Sequence, residues 1–214
     1  MIHPDTELRF VNKHIGYGVF ATAAMPAGTI VYVKDPLEIE LTQKEFASLI
    51  EPYRSIAEKY SYVDQRGVRI ISWDHAKYVN HRCDCNTIST GYGFEIAVRD
   101  IRPGEEITDE YGLFNIEHEI PLACRCPGCR HVLRPSDIDM YHELWDAWVV
   151  EALHHAAGVA QPLWDFMDPL TRQDLMGYLN GHTAYRSVRA LKWERRVGIR
   201  GSRRANGRGK RQAA

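Results

Sequence analysis

The chain has 214 residues, of which 44% are hydrophobic and 26% charged, an ordinary globular balance with room for one well-buried domain and an appendage, or for two small domains. No apolar run approaches the ~20 residues that span a bilayer, and the opening Met1-Ile2-His3-Pro4-Asp5 has neither a basic nor an apolar targeting stretch. Membrane and secretory classes are therefore excluded as expectations, and a cytoplasmic, intracellular location is expected. The net charge of −1 conceals an asymmetry: residues 186–214 hold eleven Lys and Arg against Glu194 alone, while residues 1–185 hold 16 bases against 27 acids, a net of −11. An acidic body of this kind suits a basic partner, and the basic tail is compatible with proximity to nucleic acid or with a solvated terminus.

In chain order, Leu8–Val11, Gly18–Ala21 and Thr29–Val33 read as short β-branched or aromatic strands, with Pro26-Ala27-Gly28 as a turn. Leu37–Leu41 alternates as a half-buried strand should. Thr42 followed by Glu45 is a capping box, and the helix it starts, Lys44 to about Tyr60, is interrupted by Pro52. Strands resume at Tyr62–Asp64, turn at Gln65–Gly67 and continue through Val68–Ile71. Gly93–Val98 is a further strand, and Arg102-Pro103-Gly104 turns into Glu106–Tyr111.

After Pro135 the pattern becomes helical. Ser136 is placed to cap a helix with Met140, Leu144, Trp148, Val149 and Ala152 on roughly one face, ending near Gly158. Asp168-Pro169 opens a helix to about Leu179, Asn180-Gly181 breaks it, and a last helix is expected to about Val197. Residues 198–214 lack apolar periodicity and are expected to be disordered. Many short strands with one helical insert define an α+β class.

All five cysteines fall into two knots, Cys83 and Cys85 in Asn80-His81-Arg82-Cys83-Asp84-Cys85-Asn86, and Cys124, Cys126 and Cys129 in C-x-C-x-x-C. Clustering and an odd number favour metal ligation over cross-linking. Between the knots lies Gly104-Glu105-Glu106-Ile107-Thr108-Asp109-Glu110-Tyr111-Gly112. Singly, each motif has an ordinary structural explanation: Gly16-Tyr17-Gly18 is a tight turn that recurs at Gly91-Tyr92-Gly93, and Asn80-His81 is a pair of the kind often hydrogen-bonded in cores.

Together and in this order they resemble the SET-domain protein methyltransferases, over about Leu8 to Leu133. Gly16-x-Gly18 with Val19-Phe20-Ala21 and Pro26-Ala27-Gly28-Thr29 resembles the N-terminal motif of that family, Asn80-His81-x-Cys83-x-x-Asn86 its N-H-S-C-x-P-N signature, and Gly104–Gly112 its G-E-E-[IL]-T-x-x-Y motif. Cys124-x-Cys126-x-x-Cys129 resembles the zinc-binding post-SET segment. The resemblance implies a SET-domain fold of small irregular sheets with a knot-like C-terminal crossing. It places the SET domain at 5–115 with its helical insert at about 42–60, the zinc segment at 116–135, a helical extension at 136–197 and a basic tail at 198–214.

The implied activity is methyl transfer from S-adenosylmethionine to a lysine ε-amine of a protein substrate. Tyr111 is the implied catalytic residue, and Gly16, Tyr17, Gly18, Asn80, His81, Tyr111 and Leu133 the implied cofactor-binding residues. Cys83, Cys124, Cys126 and Cys129 are the implied ligands of one structural Zn²⁺, with Cys85 a competitor for the place of Cys83. Two departures stand out: Arg82 replaces a small Ser, adding a charge by the cofactor loop, and Asp109 stands two before the tyrosine where Phe or Tyr is common and tunes the number of methyls. With Cys85 these departures motivate a second reading, a zinc-stabilised binding adaptor that has lost catalysis.

Overall fold

The computed structural model describes residues 1–124 and 126–194. Among them the strands form four small sheets. The first runs in the order Thr6–Asn12, Gly16–Ala21, Glu106–Asp109, Asn80–His81. Its first three strands are antiparallel neighbours, whereas Asn80 and His81 pair in parallel with Thr108 and Asp109. Parallel neighbours require a crossover connection. Here the connection contributes two strands, Thr87–Ser89 and Phe94–Ala97, to a second sheet, in which Thr87–Ser89 and the earlier Ile30–Val33 flank Phe94–Ala97. The third sheet places Arg69–Ile71 between Ile39–Leu41 and Ser61–Val63. The fourth is the two-stranded pair Ile120–Pro121 and Val132–Leu133, a pairing inside the cysteine-bearing segment that the sequence pattern did not signal.

The helical insert is two helices, α1 (Gln43–Ser48) and α2 (Tyr53–Tyr60), separated at Pro52 as its missing amide requires. The capping box forms in full: Glu45 N–H donates to the Thr42 hydroxyl and the Glu45 carboxylate accepts from the Thr42 amide. The alternation at 37–41 places its residues the other way round from the expectation. Ile39 is 51% exposed while Glu38 is buried, because Glu38 accepts the Tyr32 hydroxyl at 2.8 Å behind the sheet.

The extension is α3 (Asp137–Ala156) and α4 (Pro169–Leu179), the latter capped by Asp168 with Pro169 in its first turn. Ser136 precedes α3 but its hydroxyl caps no backbone N–H. The apolar face of α3 is rotated from the expected one: Ile138, Trp145, Val149, Ala152, Leu153 and Ala156 are buried, whereas Met140 is 65% and Leu144 49% exposed. Trp145 lies at the centre of the buried face, packed with Val149 and Leu153 against the second sheet, while Trp148 is only partly buried. In place of the expected last helix there is a single 3₁₀ turn, Val188–Leu191. Its approach is set by Asp146 of α3, whose carboxylate accepts from the Tyr185 hydroxyl, the Ser187 hydroxyl and the Val188 amide. The end of that expected helix and the basic tail at 198–214 lie outside the described residues.

One core joins the extension to the second sheet, with Ile30, Ile88, Phe94 and Ile96 against Trp145, Val149, Leu153 of α3 and Leu175 of α4. A second core, Val19, Ala21, Val31, Ala97 and Ile107, backs the first sheet. The two layers touch at the Pro26–Gly28 turn. Gly28 has φ +90°, and a Cβ there would lie 2.8–2.9 Å from backbone atoms of Ala152, His155 and Ala156. Gly28→Ala is expected to cost roughly 2–3 kcal/mol, since it adds both backbone strain and a backbone clash. A urea unfolding curve indistinguishable from that of the parent would show that α3 does not dock on this turn.

Candidate functional site

The parallel pairing of Asn80–His81 with Thr108–Asp109 builds the site. The Asn80 side-chain amide donates to Tyr17 O at 3.1 Å and to Glu106 Oε1 at 2.8 Å, tying the Gly16–Ala21 strand to the centre. Gly18 is where those side chains cross: a Cβ there would lie 2.4 Å from Glu106 Oε1 and 3.0 Å from Asn80 Nδ2. Its function as a glycine is close approach rather than a turn. Tyr17 is 49% exposed and stacks edge-on between Phe10 and Tyr78, and Tyr78 in turn meets Tyr60.

His81 Nδ1 accepts the Tyr111 amide at 3.2 Å and lies 3.1 Å from Asp109 O, while its Nε2 is 3.4 Å from Cys83 Sγ. Burial, followed by the Arg130 charge, lowers the His81 pKa to about 4, so the ring is neutral at physiological pH. The Tyr111 hydroxyl donates to Val79 O at 2.5 Å, and its ring packs on His81 and Phe114. Burial, then the Asp109 charge, raises the Tyr111 pKa, so the phenol keeps its proton.

Tyr111, Val79 and Asp109 line a cavity of about 320 Å³, with Tyr60, Phe114 and Ile120 among its other walls. A second cavity, about 890 Å³, lies beside it, and both share Tyr32, Tyr62, Val63, Glu95 and Phe114. Asp109 is 1% exposed; its Oδ1 accepts the Glu110 amide at 2.7 Å and its Oδ2 has no partner. Glu95 is its neighbour. Burial raises both carboxyl pKa values, that of Asp109 to about 7 and that of Glu95 well above its usual range, the Asp109 charge adding to the latter. The two carboxyls therefore titrate as a coupled pair, in which burial disfavours two charges side by side.

The Cys83, Cys124, Cys126 and Cys129 sulfurs all lie within 4.8 Å of one another. Thiolates about 2.3 Å from a tetrahedral zinc stand about 3.8 Å apart, so this set fits one ion. Backbone amides of Arg130 and His131 point at the Cys83 and Cys129 sulfurs, at 3.5 and 3.4 Å. Cys85 lies outside the group, buried near the Asp109 and Glu110 charges, with its thiol pKa pushed well up. The competition between Cys83 and Cys85 is thus resolved in the geometry. Arg82 turns to Asp84, bonding it at 2.8 and 3.0 Å. Leu133 is fully buried in its pair with Ile120 and lines neither cavity, although Ile120 lines the smaller one.

Sequence reasoning missed Arg130. Its guanidinium hydrogen-bonds Glu110 at 2.5 Å, forms an ion pair with Asp137 at 3.2 Å, and packs over the Tyr141 and Trp145 rings. Arg130 directly follows Cys129, so the segment bearing the cysteine cluster presents it to the residue before Tyr111 and to the start of α3. The signal was a lone Arg next to a ligand, with two acids far away in sequence. Glu95 was also missed, since it occupies an unremarked position of an alternating strand. Burial raises the Glu110 pKa to about 6 even with Arg130 beside it. Arg130→Met would leave two carboxylates buried without their counter-charge, and at fixed metal load a loss of about 3–5 kcal/mol in urea unfolding is expected. An unchanged midpoint would mean that the Arg130 contacts are incidental.

Residues 16–112 match the model of the SET domain family. The chain is 27% identical, over 157 residues, to the Variant-silencing SET domain-containing protein of Plasmodium falciparum (isolate 3D7). That alignment covers 62% of this chain and 6% of the relative, so the chain spans only a small part of that protein's length. No helix among the described residues is long and apolar enough to cross a membrane.

Proposed function

With residues 16–112 a SET domain, we propose that the protein is an S-adenosylmethionine-dependent protein-lysine N-methyltransferase. The observation that carries this reading is the meeting of Asn80, His81 and Tyr111 through one parallel strand pair, with Tyr111 on the wall of a cavity. S-adenosylmethionine would be held by Gly16, Tyr17, Gly18, Asn80, His81 and Tyr111, with Leu133, fully buried in its strand pair, behind that surface rather than on it. When bound it supplies a sulfonium methyl, an electrophile already activated.

What remains for the chain is alignment and desolvation. Tyr111 is fixed at both ends, its amide on His81 Nδ1 and its hydroxyl on Val79 O, so the phenol oxygen presents its free lone pair in one direction. A neutral His81 suits this task, because it can accept the Tyr111 amide. The wall of Tyr32, Tyr62, Glu95 and Phe114 suits the acceptor; of the residues proposed for the cofactor, only Tyr111 lines this cavity. Within it an acceptor lysine sheds water, which favours the neutral amine that attacks. The net of −11 over residues 1–185 favours a basic segment of a protein substrate.

The four thiolates would hold a structural Zn²⁺ that fastens the 116–135 segment to the loop carrying His81. About one zinc per chain is expected by elemental analysis, lost in Cys83→Ser and kept in Cys85→Ser; the reverse pattern would reassign the fourth ligand.

Calorimetry with S-adenosylmethionine is expected to give about one site per chain, and Tyr111→Phe to keep that binding while slowing methylation by about 10²-fold or more. A parent chain that binds no cofactor, or a Tyr111→Phe variant with undiminished transfer, would refute the reading. The adaptor alternative finds no support in Arg82 or Cys85, since the first is neutralised by Asp84 and the second is a buried thiol outside the site. Asp109 is the departure that needs its own account.

A further inference from the structure

Asp109 is a buried carboxylate beside the tyrosine of the site; the Glu110 and Ser89 backbones and the Glu95 carboxyl lie against it, but no cation among the described residues does. Among the described residues no Lys or Arg forms an ion pair with Asp109 or with Glu95. The cations on the same cavity are engaged elsewhere: Lys77 Nζ bonds the carbonyls of Ser72, Trp73 and Asp74, Lys59 sits over the Tyr60 ring, and Arg69 packs on Phe46 and faces Glu117 at 3.6 Å. Glu110, the next acid along the chain, is taken by Arg130. Buried polar atoms without partners are rare and call for a ligand or a functional cause. The surroundings of Asp109 suit an alkylammonium, because Tyr32, Tyr62, Tyr111 and Phe114 offer ring surface to a methylene stem, and Asp109, on the same cavity wall, has an Oδ2 without a hydrogen-bond partner.

We propose that Asp109, supported by Glu95, is the receptor for the acceptor amine: its Oδ2 takes a proton from the incoming ammonium and then holds the nitrogen through a remaining N–H, so that methylation stops before the trimethyl state. This rests on the methyltransferase reading above and specifies how its substrate is received. The proton passes from the ammonium nitrogen to Asp109 Oδ2, and the freed lone pair forms the new N–C bond. The S–C bond breaks with its electron pair remaining on sulfur, which becomes a neutral thioether. The proton on Asp109 passes to solvent as the product leaves. Glu95 lies on the same cavity within hydrogen-bond reach of Asp109, and two buried carboxylates side by side disfavour a double charge, so the pair carries one negative charge toward the amine. An acceptor with three methyls has no N–H to offer and meets a carboxylate it cannot bond.

The test uses the full chain and three probes, n-butylammonium chloride, n-butanol and n-butyltrimethylammonium chloride, with binding followed by NMR line shifts. The parent is expected to bind n-butylammonium and to bind the other two at least about tenfold more weakly, the scale of one charge-assisted hydrogen bond. Asp109→Asn is expected to lose that preference while Glu95→Gln, which mimics the protonated acid, retains it. In mass spectra of lysines methylated in a cell extract, the parent is expected to give mono- and dimethyl-lysine only. Equal binding of n-butyltrimethylammonium by the parent, retention of n-butylammonium binding in Asp109→Asn, or trimethyl-lysine made by the parent would each overturn the proposal. The first and last need no variant to fold. Selective amine binding without any methyl transfer would uphold the receptor and count instead against the transferase reading.

Discussion

Two residues of parallel pairing, Asn80 on Thr108 and His81 on Asp109, hold the site together. Segments almost thirty residues apart in sequence are locked side by side, and each side-chain contact of the centre follows from that register. His81 reaches the Tyr111 amide, Tyr111 reaches back to Val79, and Asn80 reaches outward to Tyr17. A slip of one residue would turn His81 and Asp109 to the opposite face and dismantle the whole set. Gly18 is part of the same constraint, since any side chain there would push Asn80 and Glu106 apart.

Arg130 extends that constraint to the rest of the molecule. One guanidinium links the cysteine-bearing segment, the residue preceding Tyr111 and the first residue of α3. Desolvating three charges is costly, and the arrangement is tolerable because the guanidinium fork meets both carboxylates and packs over two aromatic faces. The cysteine cluster, the strand end before Tyr111 and the helical extension are therefore coupled electrostatically, and the extension shares a hydrophobic core with the sheet. Asp109 is the contrasting case, an acid of the same strand for which no cation is provided among the described residues.

Much of this was legible in sequence because it is local. The capping box at Thr42, the break at Pro52, the Asp168-Pro169 start and the grouping of cysteines depend on residues within a few positions of each other, and all appear in the structure. What was misread depends on tertiary partners. The face of α3 was assigned to Met140 and Leu144 because both are apolar, yet Trp145 and Leu153 have a sheet to pack on and they have solvent. Ile39 and Glu38 exchanged places because a tyrosine hydroxyl lies behind the strand. The choice of Cys83 over Cys85 came from its place in the Asn80-His81-x-Cys83 motif, and the structure groups its sulfur, not that of Cys85, with the other three. The environment of Asp109 was unreadable for a similar reason: Glu95 and the tyrosines around it come from three other segments.

The central claim is that this constellation transfers a methyl group to lysine. The most direct measurement is incubation of the purified chain with methyl-labelled S-adenosylmethionine and a protein extract, followed by identification of labelled residues. The account predicts label on lysine side chains of a limited set of proteins, absent when Tyr111→Phe replaces the parent. Label on no protein, although the parent chain is folded and binds the cofactor, would contradict it.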